Sequence, residues 1–253
     1  MIRVSASAFD VLWSDLGHTH SPWPLAVHSV GRTGQERAGI RAEVYANLAE
    51  RGLVRGGDVD PELRRRLDVL AGATLTVECE ALLDLADAEP LRAVAAAAGE
   101  RGVLAVQPRR TIALTAIRGA EVFGAAVGVL PDFAPGPGMG VSLPSSALAT
   151  VADAAVEHSQ TRRARVFEQQ SREALAVQSR PVLAAGQFSV RLRCEAGLRR
   201  VGGVSWFVTD EGGYLGTVAE GRASEPWLSL VPADPARIAA RLADLVEEVD
   251  SCA

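Results

Sequence analysis

The chain has 253 residues, 48% of them hydrophobic and 23% charged, enough to bury the core of one large domain or two moderate ones. Its formal net charge is −5, and its arginine clusters are scattered among acids, which argues against nucleic acid as the main partner. All 26 basic residues are arginine, so the lysine of a Walker-type phosphate loop, a pyridoxal Schiff base or a kinase-type ATP site is missing.

The N-terminus, Met1-Ile2-Arg3-Val4-Ser5, lacks the positive-then-apolar pattern of a signal peptide. Ser7-Ala8-Phe9-Asp10 reads as a capping box, and Phe9, Leu12, Trp13 and Leu16 follow at helical spacing, which predicts a helix over 7–17. Trp23 to Ser29 reads as a strand. Thr33-Gly34-Gln35-Glu36 is a second capping box; it opens a long helix with Ile40, Val44 and Leu48 on one face, ended by Gly52 and Gly56-Gly57. Asp60-Pro61-Glu62 pairs an N-cap with Pro at the first helical position, and Leu63, Leu67 and Leu70 mark the face of the helix it starts.

Leu75 to Leu83 alternates apolar and polar residues, the pattern of a half-buried strand. Asp84 to Gly102 reads as a long connection with a short helix-like stretch, Leu91 to Ala98. Three β-like runs follow at Val103–Gln107, Thr111–Ile117 and Glu121–Val129. Pro131 to Ser142 is rich in Pro and Gly and reads as the main linker. Pro144 to Gln178 contains no Gly and predicts one broken helix or two consecutive ones. A strand at Gly186–Glu195 precedes a closing cassette of three strands (Val204–Thr209, Tyr214–Val218, Trp227–Val231) and an Asp234-capped helix from Pro235 to Val249.

One segment echoes another. Val69 to Glu80 matches Val182 to Arg193 at a constant offset of 113, without a gap and with four identities. Each copy is followed by further β-runs and a helix, which predicts two similar halves, about 1–130 and 143–253, joined by the linker 131–142 within one domain. Glu78 and Glu80 become Arg191 and Arg193 in the second copy. Opposite charges are then placed to meet on one polar face of a sheet.

No catalytic set emerges. GxSxG and HExxH are absent, and Gly136-Pro137-Gly138-Met139-Gly140 sits among prolines rather than in a strand–loop–helix unit. His18-Thr19-His20 is the best metal-like cluster, yet two ligands at this spacing fall short of a zinc site. Cys79, Cys194 and Cys252 have no CxxC spacing, which points to a reducing compartment. The longest apolar run, Val122 to Leu130, is far shorter than the ~20 residues of a membrane span. The reading is a protein without catalytic, cofactor or metal residues.

The order of elements, with Phe9-Asp10-Val11-Leu12-Trp13, Arg32-Thr33 with Glu36-Arg37, Arg51-Gly52-Leu53-Val54 to Val59-Asp60-Pro61-Glu62-Leu63, Ser205-Trp206-Phe207-Val208-Thr209-Asp210, Gly213-Tyr214-Leu215 and Pro232-Ala233-Asp234-Pro235-Ala236-Arg237-Ile238, resembles the EspG family of actinobacterial ESX (type VII) secretion proteins. The resemblance implies an α/β protein of α+β type: a central, mostly antiparallel sheet flanked by two helical bundles, with quasi-two-fold internal symmetry. It implies a cytoplasmic chaperone that binds the hydrophobic helical tip of a secreted PPE-like partner from a PE–PPE-type pair, with no nucleic acid, no membrane insertion and no cofactor. The binding regions it implies are the loop around Leu85, Leu91 and Val94 and the helical surface around Val166, Phe167 and Leu175. Two other readings stay open: a small-molecule or metal-dependent enzyme or sensor using the His18/His20 loop, and a client-free structural homodimer.

Overall fold

The computed structural model describes residues 1–144, 162–220 and 226–250, with the side chains of 162–168, 171, 220 and 250 left aside. In chain order the elements are β1 (Ile2–Ser5), α1 (Ala6–Asp15), α2 (Gly34–Glu50), a small ribbon of β2 (Val54–Arg55) and β3 (Asp58–Val59), α3 (Pro61–Gly72), β4 (Leu75–Leu82), β5 (Leu91–Ala98), β6 (Arg101–Gln107), β7 (Thr111–Arg118) and α4 (Val122–Val127). Then come β8 (Val141–Pro144), α5 (Arg162–Gln178), β9 (Val182–Cys194), β10 (Gly197–Thr209), β11 (Gly212–Glu220), β12 (Pro226–Pro232) and α6 (Pro235–Asp250).

A ten-stranded sheet runs in the order β1-β7-β6-β5-β4-β9-β10-β11-β12-β8, and every neighbouring pair is antiparallel. β4 and β9 meet at the centre, and Val77 lies directly opposite Val190. On each side of that pair is a meander of consecutive strands, closed at its outer edge by a strand that precedes it in sequence, β1 or β8. A helix comes before each meander, α3 or α5, and another follows it, α4 or α6.

The two faces of the sheet carry different cores. On one, Val77, Cys79, Ala93, Ala95, Phe188, Val190, Val204 and Trp206 pack beneath α4 and α6, whose Val122, Ala126, Ile238 and Leu242 are at most 1% exposed. Trp206 stacks on Phe133 with centroids 6.0 Å apart. On the other face, Val94, Ala96, Val103, Ala105, Ile112 and Leu114 pack under α1 and α3. α5 lies on β8 at the far edge, where Ala174 meets Val141 and Leu143.

Caps set most helix starts. Thr33 Oγ1 accepts from Glu36 N–H, Asp60 Oδ1 from Glu62 and Leu63, and Asp234 Oδ1 from Arg237. α1 is the exception to the expected cap: Ser5, not Ser7, accepts from Ala8 N–H, so the helix starts earlier. α2 buries only Leu48 and is tied down by polar contacts instead, Arg37 to Asp10 at 2.8 Å, and Arg41 and Tyr45 both to Asp15 at 2.8 Å.

Four sequence expectations change. Leu91 to Ala98 is a strand, not a helix-like stretch. Alanine favours helix in isolation, but this strand is buried on both faces between α3 and α4, and small side chains let both helices approach. Glu121 to Val129 is largely α4, where the apolar run buries Val122, Ala126 and Val127 against the sheet. Trp23 to Ser29 is irregular. Pro22 and Pro24 remove donors, and the buried amide of Gln107 takes the place of a strand partner, accepting from Ala26 N–H at 2.6 Å and donating to Ala26 C=O at 3.1 Å. β4 is buried on both faces rather than half-buried. The Pro/Gly stretch is also held down: Gly136 N–H donates to Gly213 C=O at 2.9 Å and Gly213 N–H to Ala134 C=O at 2.8 Å.

Candidate partner-binding groove

Between the layer of α1 and α3 and the layer of α5, the floor of the sheet is made by β4, β9 and β10. Alternation along these strands decides what faces outward. Phe188, Val190, Val204 and Trp206 point into the α4–α6 core, so Gln187, Ser189, Arg191, Ser205 and Phe207 take the other face. Gln187 and Ser205 are exposed; Glu80, Ser189, Arg191 and Phe207 are half-buried.

The floor is cross-linked by polar contacts. Arg191 Nε lies 2.8 and 3.0 Å from the two oxygens of Glu78, the residue 113 positions before it. Glu78 is 5% exposed, and burial raises its pKa against the lowering effect of Arg191. The second expected charge pair does not form. The strands are antiparallel, so Glu80 and Arg193 lie on opposite sides of the central Val77–Val190 pair. Glu80 faces Arg92 at 3.6 Å, while Arg193 donates to the carbonyls of Ala71 and Ala73. Arg200 Nε donates to Ser189 Oγ at 3.2 Å.

One end of the groove is apolar. β4 leaves the sheet where β9 begins, with Leu82 opposite Ala185. At this end Leu83, Leu85, Val182 and Leu183 are exposed, between 37% and 51%. α5 runs down to Gln178 just before β9, and its Leu175 is 42% exposed. The loop after β4 is a built turn: Asp84 Oδ1 accepts from Ala86 N–H at 2.8 Å, and Asp84 C=O from Asp87 N–H at 3.0 Å. Beside it lies an open cleft of about 700 Å³ lined by Leu83, Asp87, Leu91, Pro108, Arg109 and Arg110. Arg180 holds the start of β9 by pairing with Asp210 at 3.5 Å and with Glu211.

The residues read from the sequence are placed unequally. Leu85 stands exposed in the loop and Leu175 on the helix. Leu91 opens β5, half-buried, on the wall of the cleft. Val94 is 1% exposed, lies opposite Glu78 in mid-strand and belongs to the core beneath α1 and α3, so it is a core residue and not part of the loop surface. Val166 and Phe167 lie in α5, but their side chains are outside the described residues. Leu183 and Val182 escaped the sequence reading. An apolar pair directly after Pro181 and outside any alternating run was the signal available.

His18 and His20 do not act together. The ring of His18 packs on Trp13, centroids 4.6 Å apart, with Nε2 3.2 Å from Asp68, while His20 uses its backbone carbonyl to accept from Trp13 Nε1. Among the described residues no three His, Cys, Asp or Glu side chains gather as metal ligands. Burial pushes the Cys79 thiol up to about 12, which leaves it a core residue rather than a nucleophile. No described helix is long and apolar enough to cross a membrane.

A sequence model of the EspG family matches residues 5–244, nearly the whole chain. The chain belongs to the EspG family. No curated protein sequence matches it. Among solved structures, this EspG-family chain is similar to the type VII secretion system chaperone EspG5 of Mycobacterium tuberculosis, which was solved in complex with a PE25–PPE41 dimer. The two share 16% sequence identity, with a TM-score of 0.70 over 97% of this chain and 95% of that one. At that identity the likeness is one of fold: a large antiparallel sheet with helical layers.

Proposed function

We propose that this EspG-family protein is a type VII secretion chaperone that binds a PPE-type helical substrate in the cytoplasm and keeps it soluble for export, without catalysis. The observation that carries the reading is the groove: a polar sheet floor between two helical layers, with Leu83, Leu85, Val182 and Leu183 exposed at the end where β4 and β9 part and Leu175 exposed on α5. Contiguous exposed apolar side chains rimmed by polar ones mark interaction surfaces, and a helical partner fits a groove of this kind. EspG5, of the same fold, was solved with a PE25–PPE41 dimer. The contact region proposed is Leu85, Leu91 and Leu175 together with Leu183, and α5 around Val166 and Phe167.

The chain is further read as one domain of two pseudo-repeat halves, about 1–130 and 143–253, joined by 131–142. Support comes from the strand order on either side of β4 and β9, and from Val77 facing Val190. The test of function is co-expression with helical secretion substrates, followed by pull-down and a solubility assay. Capture of a PE–PPE-type pair that is insoluble alone is the expected result. A chain that captures none, leaves its candidates equally soluble and self-associates instead is a client-free homodimer.

A further inference from the structure

The opposite end of the groove holds a second cleft, about 700 Å³ in volume, where α1, the loop 17–23 and the β9–β10 turn meet the sheet. Its walls are apolar and aromatic: Trp13, Trp23, Leu70 and Leu198. Its floor is polar, made by Thr76, Glu78 and Arg191 on one face of β4 and β9. Glu78 is engaged with Arg191 through both oxygens. Thr76 is different. It is 4% exposed, lines the cleft, and its Oγ1 has no hydrogen-bond partner. A buried hydroxyl left without a partner is costly, and such groups are usually satisfied by something.

The charges around it favour an anion. Two guanidiniums, Arg191 and Arg193, line the cleft with one carboxylate, Glu78, which pairs with Arg191, so the positive charge of Arg193 is left over. A hydroxyl and a guanidinium at the base of an aromatic slot suit a carboxylate on a short apolar stem. The cleft also continues the groove. Leu183 and Arg191 lie on one face of β9, eight residues apart, or about 26 Å at ~3.3 Å per residue. A helix of roughly 17 residues covers that distance.

We propose that this cleft is a second recognition point for the same client, taking an aspartate or glutamate side chain from the helical segment whose apolar end sits on the Leu85–Leu183 patch. The inference rests on the chaperone reading. Its test is calorimetric titration of the PE–PPE-type pair recovered by co-expression against wild type, Thr76→Val, Trp23→Ala and Leu183→Asp. Trp23 is 58% exposed, so removing it leaves the fold intact. Thr76→Val is expected to unfold at no lower temperature than wild type, since it deletes an orphaned hydroxyl, and yet to bind about tenfold more weakly. Trp23→Ala should weaken binding similarly. One Asp→Asn or Glu→Gln change in the client helix should reproduce the loss and add nothing to Thr76→Val. If Thr76→Val and Trp23→Ala bind like wild type while Leu183→Asp does not, the cleft proposal is wrong and the chaperone reading stands. Weakening that no acidic client variant reproduces overturns the cleft proposal as well. A wild-type protein that binds no such pair removes both.

Discussion

The two faces of the central strands do opposite things with the same backbone. Toward α4 and α6, Val77, Phe188, Val190, Val204 and Trp206 are all below 5% exposure. On the reverse side Gln187 and Ser205 are open to solvent, and charged pairs replace apolar contacts. One face is a core that leaves no room for a partner. The other is a surface that the fold does not need to fill. Stability and recognition are therefore separable by substitution, residue by residue, along β9 and β10.

Trp206 offers the largest break in that separation. Trp206→Ala removes a fully buried ring stacked on Phe133, and should cost about 3–5 kcal/mol in urea unfolding. Trp206→Phe should cost much less, since it also removes an indole N–H that has no partner. Next comes the crowded strand between helices. Ala95→Leu adds volume at a site with 0% exposure and should destabilise by about 1–3 kcal/mol, measured the same way. On the open face the pattern reverses: Leu183→Asp and Leu85→Asp should shift stability by no more than about 0.5 kcal/mol, while client capture falls at least tenfold. Equal loss of stability and binding in these two variants would erase the distinction between the faces.

The smallest effect is electrostatic. The folded-state pKa of Glu78 is raised, so the native protein holds that proton more tightly than the unfolded chain does. Its contribution to stability is fully present below the unfolded pKa and is lost as pH rises through the folded pKa. Wild type should therefore lose ground to Glu78→Gln between pH 4 and pH 7. A difference that stays flat, or runs the other way, would mean that Arg191 outweighs burial.

Much of this was legible in the residues. Alternation gave β4, and the capping residues Thr33, Asp60 and Asp234 marked helix starts because a cap is a local interaction. The three C-terminal strands followed from aromatic and β-branched runs between glycine turns. β5 was hidden because five of its eight residues are alanine, and only the helices above and below it decide its conformation. The irregular path at 23–29 depends on Gln107, 81 residues away from Ala26, and no local pattern contains that contact. For the groove, loop length pointed to Leu85. Val94 could not be told from a surface residue without knowing that its strand lies in the sheet interior. Leu183 needed the register of β4 against β9.

The pairing of β4 with β9 has a consequence for how the molecule is made. On synthesis, β4 to β7 emerge as hairpins that can form from local contacts, but β9 emerges more than a hundred residues after β4. Until then the inner edge of the first meander is open, the kind of edge that recruits strands from other chains. Glu78 and Glu80 stand on that edge and discourage such pairing while it waits. Pulse-labelled hydrogen exchange during refolding should accordingly protect β5 and β6 before β9, with protection of β4 arriving last among the four strands of the first meander, β4 to β7.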